Sequence, residues 1–81
     1  MRTGYRATLF EHEVTVSPTG NKWHVTVKDP DGDLLAPAPD LQSGLDLAKA
    51  RGCQKAVVSA GMSASGFNCD EVRWIEIQLP D

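Results

Sequence analysis

Glu11 and Glu13 stand two residues apart, and His24 falls where a neighbouring strand would bring it across from them. A carboxylate beside an imidazole can move a proton. The same three side chains also fit the solvated outer face of a two-stranded ribbon. Nothing around them in the sequence builds a cleft or a desolvating wall, so the ribbon face is the reading adopted. His12, His24, Cys53 and Cys69 are the softer metal donors, but their spacing matches no zinc template. His12 falls on the apolar side of its strand, where a hydrogen-bonded core histidine is commoner than a ligand. Cys53 and Cys69 form no C-x-x-C pair, and no nucleophile motif surrounds either. They read as two reduced thiols of a cytoplasmic chain, with a Cys53–Cys69 bridge as the alternative. Gly61-Met62-Ser63-Ala64-Ser65-Gly66 lacks the Gly-Lys-Ser/Thr ending of a phosphate loop and precedes a strand, so it reads as a connector. No catalytic, cofactor-binding or metal-binding residue is assigned, and no cofactor is expected.

Binding residues are better represented. Lys22, Trp23, His24, Lys28, Arg73 and Trp74 make a basic, aromatic set of the kind that stacks nucleic-acid bases. Against this, the net charge is −3, and Glu11, Glu13 and Glu76 would repel phosphate. Trp23 also shares a face with Val25 and Val27, which belongs under a helix. Trp74 alternates with Ile75, which leaves two placements open. One is the uncovered sheet face, where it would anchor an interface beside Val72; the other is partial burial under the N-terminal residues. The candidate interface is therefore Trp74, Val72, Lys22, His24 and Arg73.

The elements that position these residues follow from periodicity. Eighty-one residues make one domain. A chain this short buries only ~60% of its unfolded surface, which favours a partner that covers apolar area. Residues 1–6 read as a loose lead-in. Residues 7–16 alternate, with Phe10, His12, Val14 and Val16 on one face. Ser17-Pro18-Thr19-Gly20-Asn21 marks a turn, and residues 22–28 alternate again with Trp23, Val25 and Val27 inward. The outward residues of the two strands carry opposite charges, which supports their pairing. Asp29-Pro30-Asp31-Gly32 predicts a second turn, and residues 33–36 a short third strand ended by Pro37.

Residues 40–60 predict the single helix. Asp40 is placed at its N-cap, and the stripe Leu41, Leu45, Ala48, Gly52, Ala56, Ala60 is placed on the sheet. The small stripe residues permit close approach, Gly44 and Gly52 weaken the helix, and Gly61 supplies its stop. Residues 61–70 read as loop, with Phe67 tucked against the core. Residues 71–79 form the last strand, with Ile75, Ile77 and Leu79 on one face and Trp74, Glu76 and Gln78 on the other. The class is α+β, in the order β-β-β-α-β: a mostly antiparallel four-stranded sheet with one helix on one face. A right-handed crossover is expected to bring the last strand beside the first and parallel to it.

The turn Asp29-Pro30-Asp31-Gly32, the Pro37-Ala38-Pro39-Asp40-Leu41 entry and the helix after it give an order over residues 8–60 that is similar to the partial RNase H-like fold of HicB-type antitoxins. The resemblance implies an antitoxin-like or inhibitor role. The chain lacks a Pro-Gly-Cys segment before the helix, and no family is assigned on this likeness.

The function expected is that of a small non-enzymatic protein-binding module with a protein partner or a second copy of itself. A nucleic-acid-binding sheet is the alternative. No run approaches the ~20 apolar residues of a membrane span.

Overall fold

The computed structural model describes residues 2–35 and 40–80. Its first two strands, β1 (Arg2–Leu9) and β2 (His12–Thr19), meet at a two-residue turn in which Phe10 and Glu11 both take positive φ, 50° and 64°. Paired positive φ is the twist that a two-residue hairpin requires, and it normally selects Asn-Gly. Here two residues with side chains adopt it. The expected single strand over residues 7–16 is thus two strands, and residues 2–6, expected as a loose lead-in, are part of β1. Tyr5 pairs with Val16, Ala7 with Val14 and Leu9 with His12.

The turn expected over residues 17–21 is confined to residues 20–21, with Gly20 at φ 62°, because Ser17, Pro18 and Thr19 pair as strand with β3 (Lys22–Lys28). Val14 faces Val27 and Val16 faces Val25, so the two strands pair as expected. Of the expected charge pairs only Glu13 faces a lysine, Lys28, while Glu11 lies in the β1–β2 turn and Glu13 also meets Arg6 of β1 at 3.5 Å. The Asp29-Pro30-Asp31-Gly32 turn closes through Asp29: its Oδ1 accepts from the amides of Asp31 and Asp33, both at 2.9 Å. Beyond it the chain makes only an isolated bridge, Leu34 to Lys28. The strand predicted over residues 33–36 is not formed through the described residues; Ala36 and Pro37 lie outside them. The neighbour of β3 is β4 (Asp40–Gln42), antiparallel, with Asp40 opposite Val25.

The helix α1 (Leu45–Ser59) therefore starts later than predicted. Asp40 belongs to β4, and the N-cap is Gly44, in extended conformation with no side-chain cap bond. Leu41, expected on the helix stripe, lies in β4 opposite His24 and is exposed, and Gly44 precedes the helix instead of interrupting it; from Ala48 to Ala56 the stripe faces the sheet as expected. The helix is continuous through Gly52, and Ala48, Gly52, Cys53, Ala56 and Val57 are buried on the sheet. Gly52 is required by that packing, because a Cβ there would overlap Val14 Cγ1 and lie 3.2 Å from Val25 Cγ1. Gly61, at φ 84°, ends the helix.

After two short 3₁₀ turns, Ala64–Gly66 and Cys69–Glu71, β5 (Ile75–Leu79) completes the sheet. It lies beside β1, as expected, but runs antiparallel to it, Arg2 opposite Leu79 and Arg6 opposite Ile75. The result is an α+β fold with one helix on one face of a five-stranded, wholly antiparallel sheet, in the order β4-β3-β2-β1-β5. The count exceeds the expected four because the first expected strand is two, β1 and β2, while β4 stands in place of the strand expected over residues 33–36. The core is a valine layer, Val14, Val16, Val25 and Val27, under Ala48 and Ala56.

Candidate functional site

The first half of α1 and the segment leading into β5 enclose an open cavity of about 450 Å³. Asp46, Lys49 and Ala50 line its helix side; Cys69, Asp70, Val72 and Trp74 line the other. A disulfide between Cys53 and Cys69 draws the two walls together. The expectation of two reduced thiols is thereby corrected. Cys53 is buried on α1, and the 3₁₀ turn whose Asp70 amide donates to Asn68 Oδ1 presents Cys69 to it. Lys49 Nζ sits 4.4 Å from the Tyr5 ring centre and 5.7 Å from that of Trp74, within the range of cation–π attraction. Tyr5 in turn leans on Trp23, ring centres 6.2 Å apart. One cation is held over aromatic faces with two carboxylates on the cavity wall. That arrangement suits recognition of a mixed polar and apolar surface.

The other face of the sheet carries no helix. Alternation places Arg2, Gly4, Arg6 and Thr8 of β1 on it, level with Ile75, Ile77 and Leu79 of β5. Ile77 and Leu79 fold over Gly4, where a Cβ would come within 2.8 Å of the Val16 carbonyl and 2.9 Å of Leu79 Cδ1. Ile75 is left 62% exposed. Arg2 straps this corner, donating from Nη1 to the Pro18 carbonyl at 2.7 Å and from Nη2 to the Pro80 carbonyl at 3.2 Å. Since β5 ends the strand order, its outer side has no strand beside it among the described residues.

The five predicted interface residues are divided between the two faces. Trp74 and Val72 line the cavity on the helix side, where Trp74 packs against the core cluster. Arg73 is exposed between them in sequence. Lys22 and His24 lie on β3 facing away from the helix, with His24 opposite Leu41. Of the two placements open to Trp74, the structure has partial burial, and it is the isoleucines of β5 that occupy the uncovered face. Both tryptophans are on the helix side, so the basic residues of the open face have no tryptophan among them. Glu13 and His24 sit on adjacent strands but four residues out of step, ~13 Å along the strand, too far for proton exchange.

Two polar junctions remain: His12 is the hydrogen-bonded core histidine that its strand face predicts, whereas its Ser59 partner and the second junction were not anticipated. His12, 4% exposed, donates from Nδ1 to the Phe10 carbonyl at 2.9 Å, and in its neutral form its Nε2 accepts from the Ser59 hydroxyl at 2.9 Å. A hydroxyl on an oriented imidazole has the form of an activated nucleophile. The surroundings do not complete it. Ser59 ends a helix, where the carbonyl ends of the dipoles oppose a developing oxyanion. The amides that follow, Ala60, Gly61 and Met62, are already bonded to the Ala56, Val58 and Val57 carbonyls. The pair therefore ties the helix end to the β1–β2 turn, which the Phe10–Phe67 edge-to-face contact at 5.4 Å also holds.

The second junction is Asp40. Its carboxylate accepts from Gln42 at 2.8 Å and pairs with Lys55 and with Arg51, the latter at 3.2 Å. Burial pushes its pKa up, but the bonds from Lys55, Gln42 and Arg51 and the Lys55 charge outweigh this and hold it below the ordinary aspartate value. Among the described residues no three His, Cys, Asp or Glu side chains converge to hold a metal. The sequence signal for Asp40 was present, in Lys55 and Arg51 one helical turn apart, but it reads as helix surface until β4 is known. No protein family, curated protein or solved structure matches the chain.

Proposed function

We propose that the chain is a small non-enzymatic protein-binding module that adds an extended segment to the outer edge of β5. One observation carries this: Ile75, Ile77 and Leu79 line the helix-free face of a terminal strand, with Ile75 62% exposed. A sheet edge offers a row of unpaired amides and carbonyls, and alternate side chains supply selectivity to a strand that joins it. An inhibitor-like role is one form such a module takes, since capping another protein's exposed strand requires no chemistry of its own.

The nucleic-acid alternative has less support, because the stacking residues Trp23 and Trp74 lie on the opposite face from Lys22, His24 and Lys28. The Cys53–Cys69 bridge bears on where the module works. The cytoplasmic expectation rests in part on free thiols, and on that point a structural disulfide supports an oxidising compartment instead. No helix among the described residues is long and apolar enough to cross a membrane.

Hydrogen exchange tests the reading. Short extended peptides that alternate apolar and polar residues should slow exchange of β5 amides and leave β4 amides unchanged, and Ile75→Asp should abolish that protection. Protection that survives Ile75→Asp, or that appears first at β4, overturns it.

A further inference from the structure

Resting on the edge reading above, we infer that the occupant of β5 is a second copy of this chain, joined by antiparallel pairing of the two β5 strands about a twofold axis at Ile77. The sequence Ile75-Glu76-Ile77-Gln78-Leu79 is self-complementary in that one register. Ile77 faces the partner's Ile77, Ile75 faces the partner's Leu79, and Glu76 faces the partner's Gln78. Directly opposed residues share a face. The six apolar side chains therefore merge into one ridge on the helix-free side, and the polar pairs alternate with them on the helix side.

Other registers are worse. Centring on Glu76 sets two carboxylates directly opposite each other, which is destabilising. Centring on Gln78 pairs Glu76 with Pro80, which has no amide to donate. Any register displaced by one residue sets apolar against polar side chains. A parallel pairing again brings Glu76 beside its own copy. The selected register also uses all five residues of β5 and continues to bring Trp74 level with the partner's Pro80.

The charge pattern favours a second copy over an unrelated strand. Glu76 is the only charged residue of β5, and of the registers centred on Glu76, Ile77 or Gln78 only this one gives it an uncharged, hydrogen-bonding neighbour across the axis. The opposite edge does not compete, being only three residues long. Joined this way, the two sheets become one ten-stranded antiparallel sheet with both helices on the same side. Five paired residues a side make a small interface, which belongs to the weak, concentration-dependent class.

The test is sedimentation of the full chain, oxidised, across a concentration series. The wild type should self-associate. Gln78→Lys faces Glu76 twice in the dimer and should tighten it, whereas Gln78→Glu sets two carboxylate pairs in opposition and should weaken it. The change expected is about 2- to 30-fold in each direction. Gln78 is exposed, so both variants should retain the wild-type melting temperature. Gln54→Lys and Gln54→Glu, on the exposed side of α1, make the same change in net charge away from the axis and should leave association unchanged. The inference is overturned if the Gln78 pair shifts in one direction, if the Gln54 pair shifts equally, or if the wild type is monomeric throughout. In that last case β5 protection by extended peptides leaves the edge reading standing, and its absence removes both.

Discussion

At one edge of the sheet, β4 is three residues long and is held by charge: Asp40 reaches inward to Gln42, Arg51 and Lys55. At the other, β5 is five residues long, bears three apolar side chains on the open face, and reaches the helix through the Cys53–Cys69 bridge that precedes it. Natural sheets protect their edges by shortness, by charge, by Pro or by bulges. The first edge has two of these devices. The second has Pro80 just past its end and a single charge, Glu76, and is otherwise a regular strand. An edge kept that way, in a chain small enough to need every buried residue, is where a binding surface is expected.

The difference can be broken from either side. The largest effect expected is from the bridge. Replacing Cys53 and Cys69 with Ala frees a loop 16 residues apart in sequence, a loss of about 3 kcal/mol measured by denaturant unfolding. Hydrogen exchange should show residues 69–79 loosening more than β4; equal loosening would mean that the bridge serves the whole domain and not its β5 side. Next is Gly52→Ala, at the seam both edges share. The methyl gains helix propensity of ~1 kcal/mol but forces Val14 and Val25 apart, so a net loss of about 1–2 kcal/mol is expected, spread evenly over the sheet. A stabilised variant would show that the helix can lift off the valine layer without cost.

A comparable loss, about 1–2 kcal/mol, is expected of Asp40→Asn, confined to β4 and its contact with α1. The pH dependence follows from the sign of the shift. The carboxylate is lowered in the folded chain, so its contribution is fully present above the unfolded value near 3.8 and is lost as pH falls through the lower folded one. Asp40→Asn should therefore flatten the acid limb of stability against pH and leave β5 exchange unchanged. The smallest effect is Ile75→Asp. With the side chain 62% exposed, stability should change by less than about 0.5 kcal/mol while binding at the edge is lost. A large fall in melting temperature would make Ile75 a core residue.

The contrast between the edges was only partly legible in the sequence. The β2–β3 ribbon, the valine face, the small-residue stripe of the helix and its stop at Gly61 are written in local period and turn chemistry. Phe67, expected against the core, packs instead on the exposed Phe10. The break between β1 and β2 is not, because Phe10-Glu11 contains neither Gly nor Asn and the alternation runs straight through it. β4 was hidden by its length: Asp40-Leu41-Gln42 is too short for a period, and an aspartate before an apolar stripe is also what a helix cap looks like. The candidate site suffered most. Ile75, Ile77 and Leu79 read as core by composition, and only the pairing of Gly4 with Ile77 puts them on the open side. The same alternation left Trp74 with two placements, the open face or partial burial, and did not choose between them. The disulfide was one of two readings, since two cysteines with no motif carry no geometry.

Pairing of β1 with β5 has a topological consequence. Arg2 lies opposite Leu79, so the first and last described strands are neighbours and a short peptide could close the chain into a ring. Opening that ring between Gly20 and Asn21, at an exposed hairpin tip, would yield a circular permutant with the same sheet order, in which today's outermost strand pair is covalently joined and the central β2–β3 hairpin is not.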